Sequence, residues 1–187
     1  MPIAFVDESG RHRRSGSCIY VTAAVIVDED ELIACRLTLE SLRHGKSPTV
    51  HWRVEQPARR ALIASTLADM PIQAVAAATP YTRGTRTERA RRQCLSRLLP
   101  ELGRRQVSAA ELETRGSELD RRDRQLLTGL RKSGLIPAQM DVRWGQPSRE
   151  PMLWAADCVA GSITWWFGGE TRYFDQLGDL VKLIEVD

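Results

Sequence analysis

Pro2-Ile3-Ala4-Phe5-Val6-Asp7-Glu8-Ser9-Gly10 opens the chain and decides how the rest is read. Ile3 to Val6 are apolar on both faces, which suits a central, covered strand, and Glu8-Ser9-Gly10 supplies the turn expected to stop it. Asp7 and Glu8 then stand where a buried strand surfaces. An anionic side chain at such a place is costly to desolvate unless a cation, a donor or water meets it. Two readings of Asp7 are open: a turn residue capping the backbone after the strand, or a metal ligand projecting from the end of the first strand of an α/β sheet. The choice between them rests on residues far down the chain.

With 187 residues the chain is long enough to bury one sizeable core and short for two, so a single domain over 1–187 is expected. Its 27 basic and 24 acidic residues leave a net charge of +3, too mild to demand a polyanionic partner. The distribution says more: Arg11, Arg13 and Arg14 cluster early, and Arg83, Arg86, Arg89, Arg91, Arg92, Arg97, Arg104 and Arg105 crowd the middle. Such crowding is consistent with phosphate contacts, or with an Ala- and Arg-rich composition alone. Cys18, Cys35, Cys94 and Cys158 form no CxxC pair, which argues against a zinc ribbon or disulfide framework and for small buried apolar residues. No apolar run of about 18 residues and no leader pattern is visible, so no membrane partner and a cytoplasmic location are expected.

Beyond the first strand, 18–27 is rich in β-branched residues and reads as its antiparallel neighbour across a basic connection at 11–17. Asp28 or Asp30 can cap a helix whose apolar positions are Leu32, Ile33, Leu37, Leu39 and Leu42. Residues 50–55 read as extended, with Trp52 in the core, and Pro57 opens a second helix to Asp69. His51 is open to a metal-ligating, substrate-side or structural role, and the lack of HxH or HxxxH spacing turns it away from metal. A third strand over 72–79 ends at Pro80. A helix from Thr87 to about Arg105 buries Cys94, Leu95, Leu98, Leu99 and Leu102 and puts its arginines on the wet side. Further on come a helix from Asp120 to Gly134, a strand over 140–144, and a last amphipathic helix over 170–185.

Two segments carry carboxylates in unusual settings. Residues 107–115 read as a strand, with helix as the alternative, and period two puts Glu111 and Glu113 on one face. Like charges at short range favour protonation or a counter-cation; Arg115 is the other candidate partner. Residues 151–167 form a helix apolar almost all round, with Asp157 its only charged side chain, beside Leu153, Trp154, Ala160 and Gly161. A buried carboxylate there has to pair with an arginine or a metal, or stay protonated.

The order of elements, with acids on the first strand, a later strand and a final apolar helix, resembles the ribonuclease H-like fold: a mixed central sheet with helices on both faces. More narrowly, Asp7-Glu8-Ser9-Gly10, Glu113-Thr114-Arg115 and Ala156-Asp157-Cys158-Val159-Ala160-Gly161 resemble the DESG, E-x-R and ADxxAG motifs of the DUF3800 family. That resemblance implies Asp7, Glu113 and Asp157 as an acidic triad for catalysis and metal, with Glu8, Glu111, His51 and Arg115 as accessory residues.

Oxygen ligands of this kind suit Mg2+ or Mn2+, and the missing Cys and His clusters disfavour zinc. The expected function is a metal-dependent nuclease or phosphodiester hydrolase acting on nucleic acid, with Arg11, Arg13, Arg14, Arg83 and Arg86 on the phosphate backbone. Two other classes stay open: a binding module of the same fold that cleaves nothing, and a hydrolase of a small phosphorylated molecule. A narrow pocket lined by Trp154 and His51 would favour the last.

Overall fold

The computed structural model of the chain describes residues 1–12, 17–82 and 87–186. Six strands form one mixed sheet: β1 (Pro2–His12), β2 (Ser17–Asp28), β3 (Ile72–Thr82), β4 (Ala109–Glu113), β5 (Asp141–Gly145) and β6 (Val181–Glu185). Their order across the sheet is β5-β4-β1-β2-β3-β6. β1, β2 and β3 are antiparallel, whereas β4 runs parallel to β1, β5 to β4 and β6 to β3. Period two along the central strands builds a core on each face. Phe5, Ala23 and Val25 pack with α1 (Leu32–Ser41), α2 (Pro57–Ala68) and α5 (Met152–Phe167), and Ala4, Val6, Ala24 and Ile26 with α3 (Thr87–Arg104) and α4 (Ser117–Lys132). All four cysteines are buried, as expected of small apolar residues, and none is in a disulfide among the described residues. Among the described residues no helix is long and apolar enough to cross a membrane.

Several sequence expectations are corrected by pairing. Glu8-Ser9-Gly10 is strand rather than turn, because β2 is long enough to match it: Glu8 pairs with Thr22, Ser9 with Val21 and Gly10 with Tyr20. Pro80 does not end β3 but pairs with Ile19, past the stretch Ala74–Ala78 that β6 covers. A missing N–H is tolerated there because β3 is locally an edge. Before α1 the chain makes a 3-10 turn, Glu29–Glu31, with no side-chain cap from Asp28. In α1 itself Leu32, Cys35 and Leu39 face the core while Ile33 and Leu37 stay exposed. Residues 52–54 are a 3-10 turn in place of an extended run, although Trp52 is core as expected.

The expected helix over 170–185 is α6 (Arg172–Leu177), a 3-10 turn and then β6. Gly178, at φ +49°, breaks the helix. Beyond it the side chains alternate: Val181 and Leu183 pack toward the α5 side and Ile184 toward the α3 side. Lys182 ties the strand to α3 through Glu101, 3.0 Å away. Burial works against the charge of Glu101, yet hydrogen bonds from Arg104, Lys182 and Arg105 bring its pKa down to about 2.

Candidate active site

Parallel pairing sets Phe5 beside Glu111 and Val6 beside Leu112, so one step further Asp7 comes level with Glu113. Both carboxylates share the face of Phe5, the face covered by α5. α5 supplies Asp157 from its buried side. The three acids line one cavity of about 400 Å³, together with His51, Leu153 and Trp154.

Asp7 and Glu113 share a side-chain hydrogen bond. Desolvation, then the charges of Glu8, Asp157 and Glu113, push the Asp7 carboxyl well above its ordinary range. Glu113 is raised too, again chiefly by burial. The hydrogen bond to Asp7 works the other way for Glu113. Asp7 Oδ1 also accepts the backbone N–H of Glu8 at 2.7 Å.

Among the described residues Asp157 is hydrogen-bonded to neither an arginine nor another acid. Its Oδ2 accepts the backbone N–H of Trp52 at 2.7 Å and lies 2.8 Å from Nδ1 of His51. That hydrogen bond, opposed by burial, raises the His51 pKa. The resulting stabilisation is complete below the unfolded histidine pKa and is lost as pH rises through the folded one. Gly161, one turn beyond Asp157, makes the contact possible, since a Cβ there would lie 2.3 Å from Cδ1 and 2.5 Å from Cγ of Trp52. These atoms sit near the root of the indole and cannot swing aside. Gly161→Ala is therefore expected to cost about 1–3 kcal/mol by overpacking and to lift Trp52 and His51 from Asp157. Thermal melting followed by tryptophan fluorescence checks it, and an unchanged melting temperature would contradict this packing.

The other acids and bases expected at the site have different occupations. Glu111 lies across Gly145 and accepts from Arg143 Nε at 2.7 Å, outside the cavity lining. Glu8 edges the cavity, but its carboxylate turns to the α3/α4 face, where Arg91 and Arg115 take it. Arg115 pairs with Glu88 at 2.5 Å rather than with Glu111 or Glu113. Arg13, Arg14, Arg83 and Arg86 lie outside the described residues, and Arg11 continues β1 opposite Ile19.

Sequence reasoning assigned Arg91 to the wet side of α3, yet it is 1% exposed and bonds Asp123 of α4 at 2.8 Å and Glu8. The signal was present. Positions 91, 94, 95, 98 and 102 follow the i, i+3, i+4, i+7 stripe, so a lone arginine on it needs buried acids, which Asp123 and Glu8 provide.

The donor set of Asp7, Glu113 and Asp157 fits a hard divalent cation in kind, being carboxylate oxygens gathered without a neutralising arginine on Asp7 or Glu113 among the described residues. In placement, no three His, Cys, Asp or Glu groups among the described residues stand close enough to hold one ion jointly. One oxygen of Asp157 is already committed to His51 and Trp52.

The fold belongs to the ribonuclease H-like class. The structure is similar to ribonuclease H2 from Pyrococcus horikoshii OT3, with a TM-score of 0.56 and 15% identity over 97% of this chain and 81% of that one. A lesser likeness, at TM-score 0.47 and 17% identity over 95% and 76% of the two chains, is to the structure of the PCNA:RNase HII complex from Archaeoglobus fulgidus. At these identities the likeness is one of fold. No family model matches the sequence. No curated protein matches it either.

Proposed function

We propose that the chain is a divalent-metal-dependent nuclease of the DUF3800 type, hydrolysing phosphodiesters of nucleic acid at the cavity of Asp7, Glu113 and Asp157. The observation that carries the reading is the convergence of these carboxylates, from β1, β4 and α5, on one cavity where Asp7 and Glu113 are both raised by burial and by the charges of Glu8 and Asp157. Acids held this way are short of positive charge, which a cation supplies. Asp7 and Glu113, which share a hydrogen bond, would hold Mg2+ or Mn2+, with Asp157 as a further acid on the same cavity rather than a third joint ligand in this arrangement. Such ions, when bound, activate water and stabilise the leaving oxygen of a phosphodiester. The chain's own part is positioning. Trp52 and His51 fix the orientation of Asp157, the hairpin register fixes Asp7, and Leu153 and Trp154 keep one wall dry.

A second reading, hydrolysis of a small phosphorylated molecule, is favoured by the cavity lining itself, which includes Trp154 and His51 and no arginine among the described residues. One assay separates the readings. Labelled RNA, DNA and hybrid strands, and bis(p-nitrophenyl) phosphate, are incubated with protein in Mn2+ or in excess EDTA. Cleavage of a strand in Mn2+ alone is the expected result; turnover of the small ester without any strand cleavage would favour the second reading, and no turnover of either removes both.

A further inference from the structure

A cleft of about 410 Å³ opens between α3 and α4, away from the face that carries Asp7. Arg89 and Arg92 of α3 and Arg121 and Arg122 of α4 line it, with Glu88 and Asp123. The two acids are already matched. Glu88 takes two hydrogen bonds from Arg115, at 2.5 and 3.3 Å, and Asp123 is held by Arg91 at 2.8 Å. Three of the four arginines are not. Arg122 reaches Glu118 at 2.8 Å on the solvent side, while the guanidinium groups of Arg89, Arg92 and Arg121 make no hydrogen bond or ion pair among the described residues.

One free surface arginine is ordinary. Three around a single concavity that Arg122 also lines, two of them at i, i+3 on α3, repel one another and raise the local positive potential. Planar guanidinium forks match phosphate oxygens in pairs, so the ligand chemistry is that of phosphate groups. The described lining holds no aromatic ring on which a base could stack. The cleft is also joined to the acidic cavity. Arg91 and Arg115 bond Asp123 and Glu88 in its wall, and the same two arginines bond Glu8 at the cavity's edge. A single layer of ion pairs separates the two.

We propose that the α3/α4 cleft is a phosphate-backbone subsite for the nucleic acid, gripping the strand through sugar-phosphate contacts beside the bond presented to Asp7, Glu113 and Asp157. The substrate class rests on the nuclease reading; the grip itself is tested without cleavage. Binding of a fluorescein-labelled single strand to full-length protein in EDTA is followed by anisotropy over a salt series, for wild type and for Arg92→Ala/Arg121→Ala, with tripolyphosphate as competitor. The arginines are exposed, and circular dichroism checks that the variant is folded. The variant is expected to bind on the order of 10-fold more weakly, with a salt slope shallower by about 1.4 for two lost contacts on a single strand. Equal affinity and slope in the two proteins overturn the subsite, as does no binding by wild type. Displacement by tripolyphosphate at micromolar concentration also overturns it, in favour of a small polyphosphate site. If the cleft binds the strand but Mn2+ brings no cleavage, the subsite stands and the nuclease reading falls.

Discussion

Replacing Arg91 by alanine is expected to remove about 3–5 kcal/mol of folding free energy, the usual consequence of stranding buried charge. For a chain of this length that is on the order of 10 °C in melting temperature. Arg91 lies closest to both Asp123, 5% exposed and 2.8 Å away, and Glu8 among the described cations of the α3/α4 layer. Arg115 stands behind it, 3.5 Å from each of those two acids and 2.5 Å from Glu88, and cannot neutralise three carboxylates alone. Arg91→Lys recovers only part of the loss, since an ammonium cannot reproduce the forked bonds from Nε and Nη2 to Asp123. Urea unfolding of the three proteins measures this. A loss below about 1 kcal/mol for the alanine variant would mean that the ion layer contributes little to the fold.

Asp7→Asn is expected to lower strand cleavage by on the order of 10³-fold or more while raising the melting temperature of the metal-free protein by on the order of 3 °C. The two effects have one cause. The folded-state pKa of Asp7 is raised, so its contribution to stability is complete below the unfolded carboxyl pKa and disappears as pH rises through the folded value. Above that, an ionised Asp7 faces Glu113, Asp157 and Glu8, and the amide removes this repulsion. Wild type should therefore lose stability with rising pH in EDTA more steeply than the variant. With Mn2+ the order reverses, because an ion that binds only the folded state stabilises wild type by mass action. A metal-free variant that melts well below wild type would instead make Asp7 a structural acid.

Much of this site was legible before any coordinates. Asp7 and Asp157 stand out as acids in apolar settings, itself a physical signal, whereas Glu113 is picked out by the resemblance of Glu113-Thr114-Arg115 to the E-x-R motif. Glu113 lines the cavity and Glu111 does not, Glu111 being held by Arg143 on β5. What stayed hidden depended on partners distant in the chain. The length of β1 is set by β2, and the place of Pro80 by where β6 ends. The C-terminal strand was masked by an apolar pattern that a helix could also wear, with only Gly178 and the β-branched Val181 and Ile184 arguing against it. The partner of Asp157 came from a backbone N–H, which every residue except proline carries and no sequence pattern marks.

The parallel seam between β1 and β4 has a kinetic consequence. β1 and β2 meet through a short hairpin, whereas Ile3 must find Ala109 across most of the central chain. Closing the longer loop costs more entropy before any contact repays it, so the seam belongs to the later part of folding. Asp7 and Glu113 face each other only once the seam is shut. Once Asp7 is ionised, their repulsion is therefore expected to act late in assembly. Relief of it in Asp7→Asn should slow the escape from the native state and leave the rate of reaching it nearly unchanged.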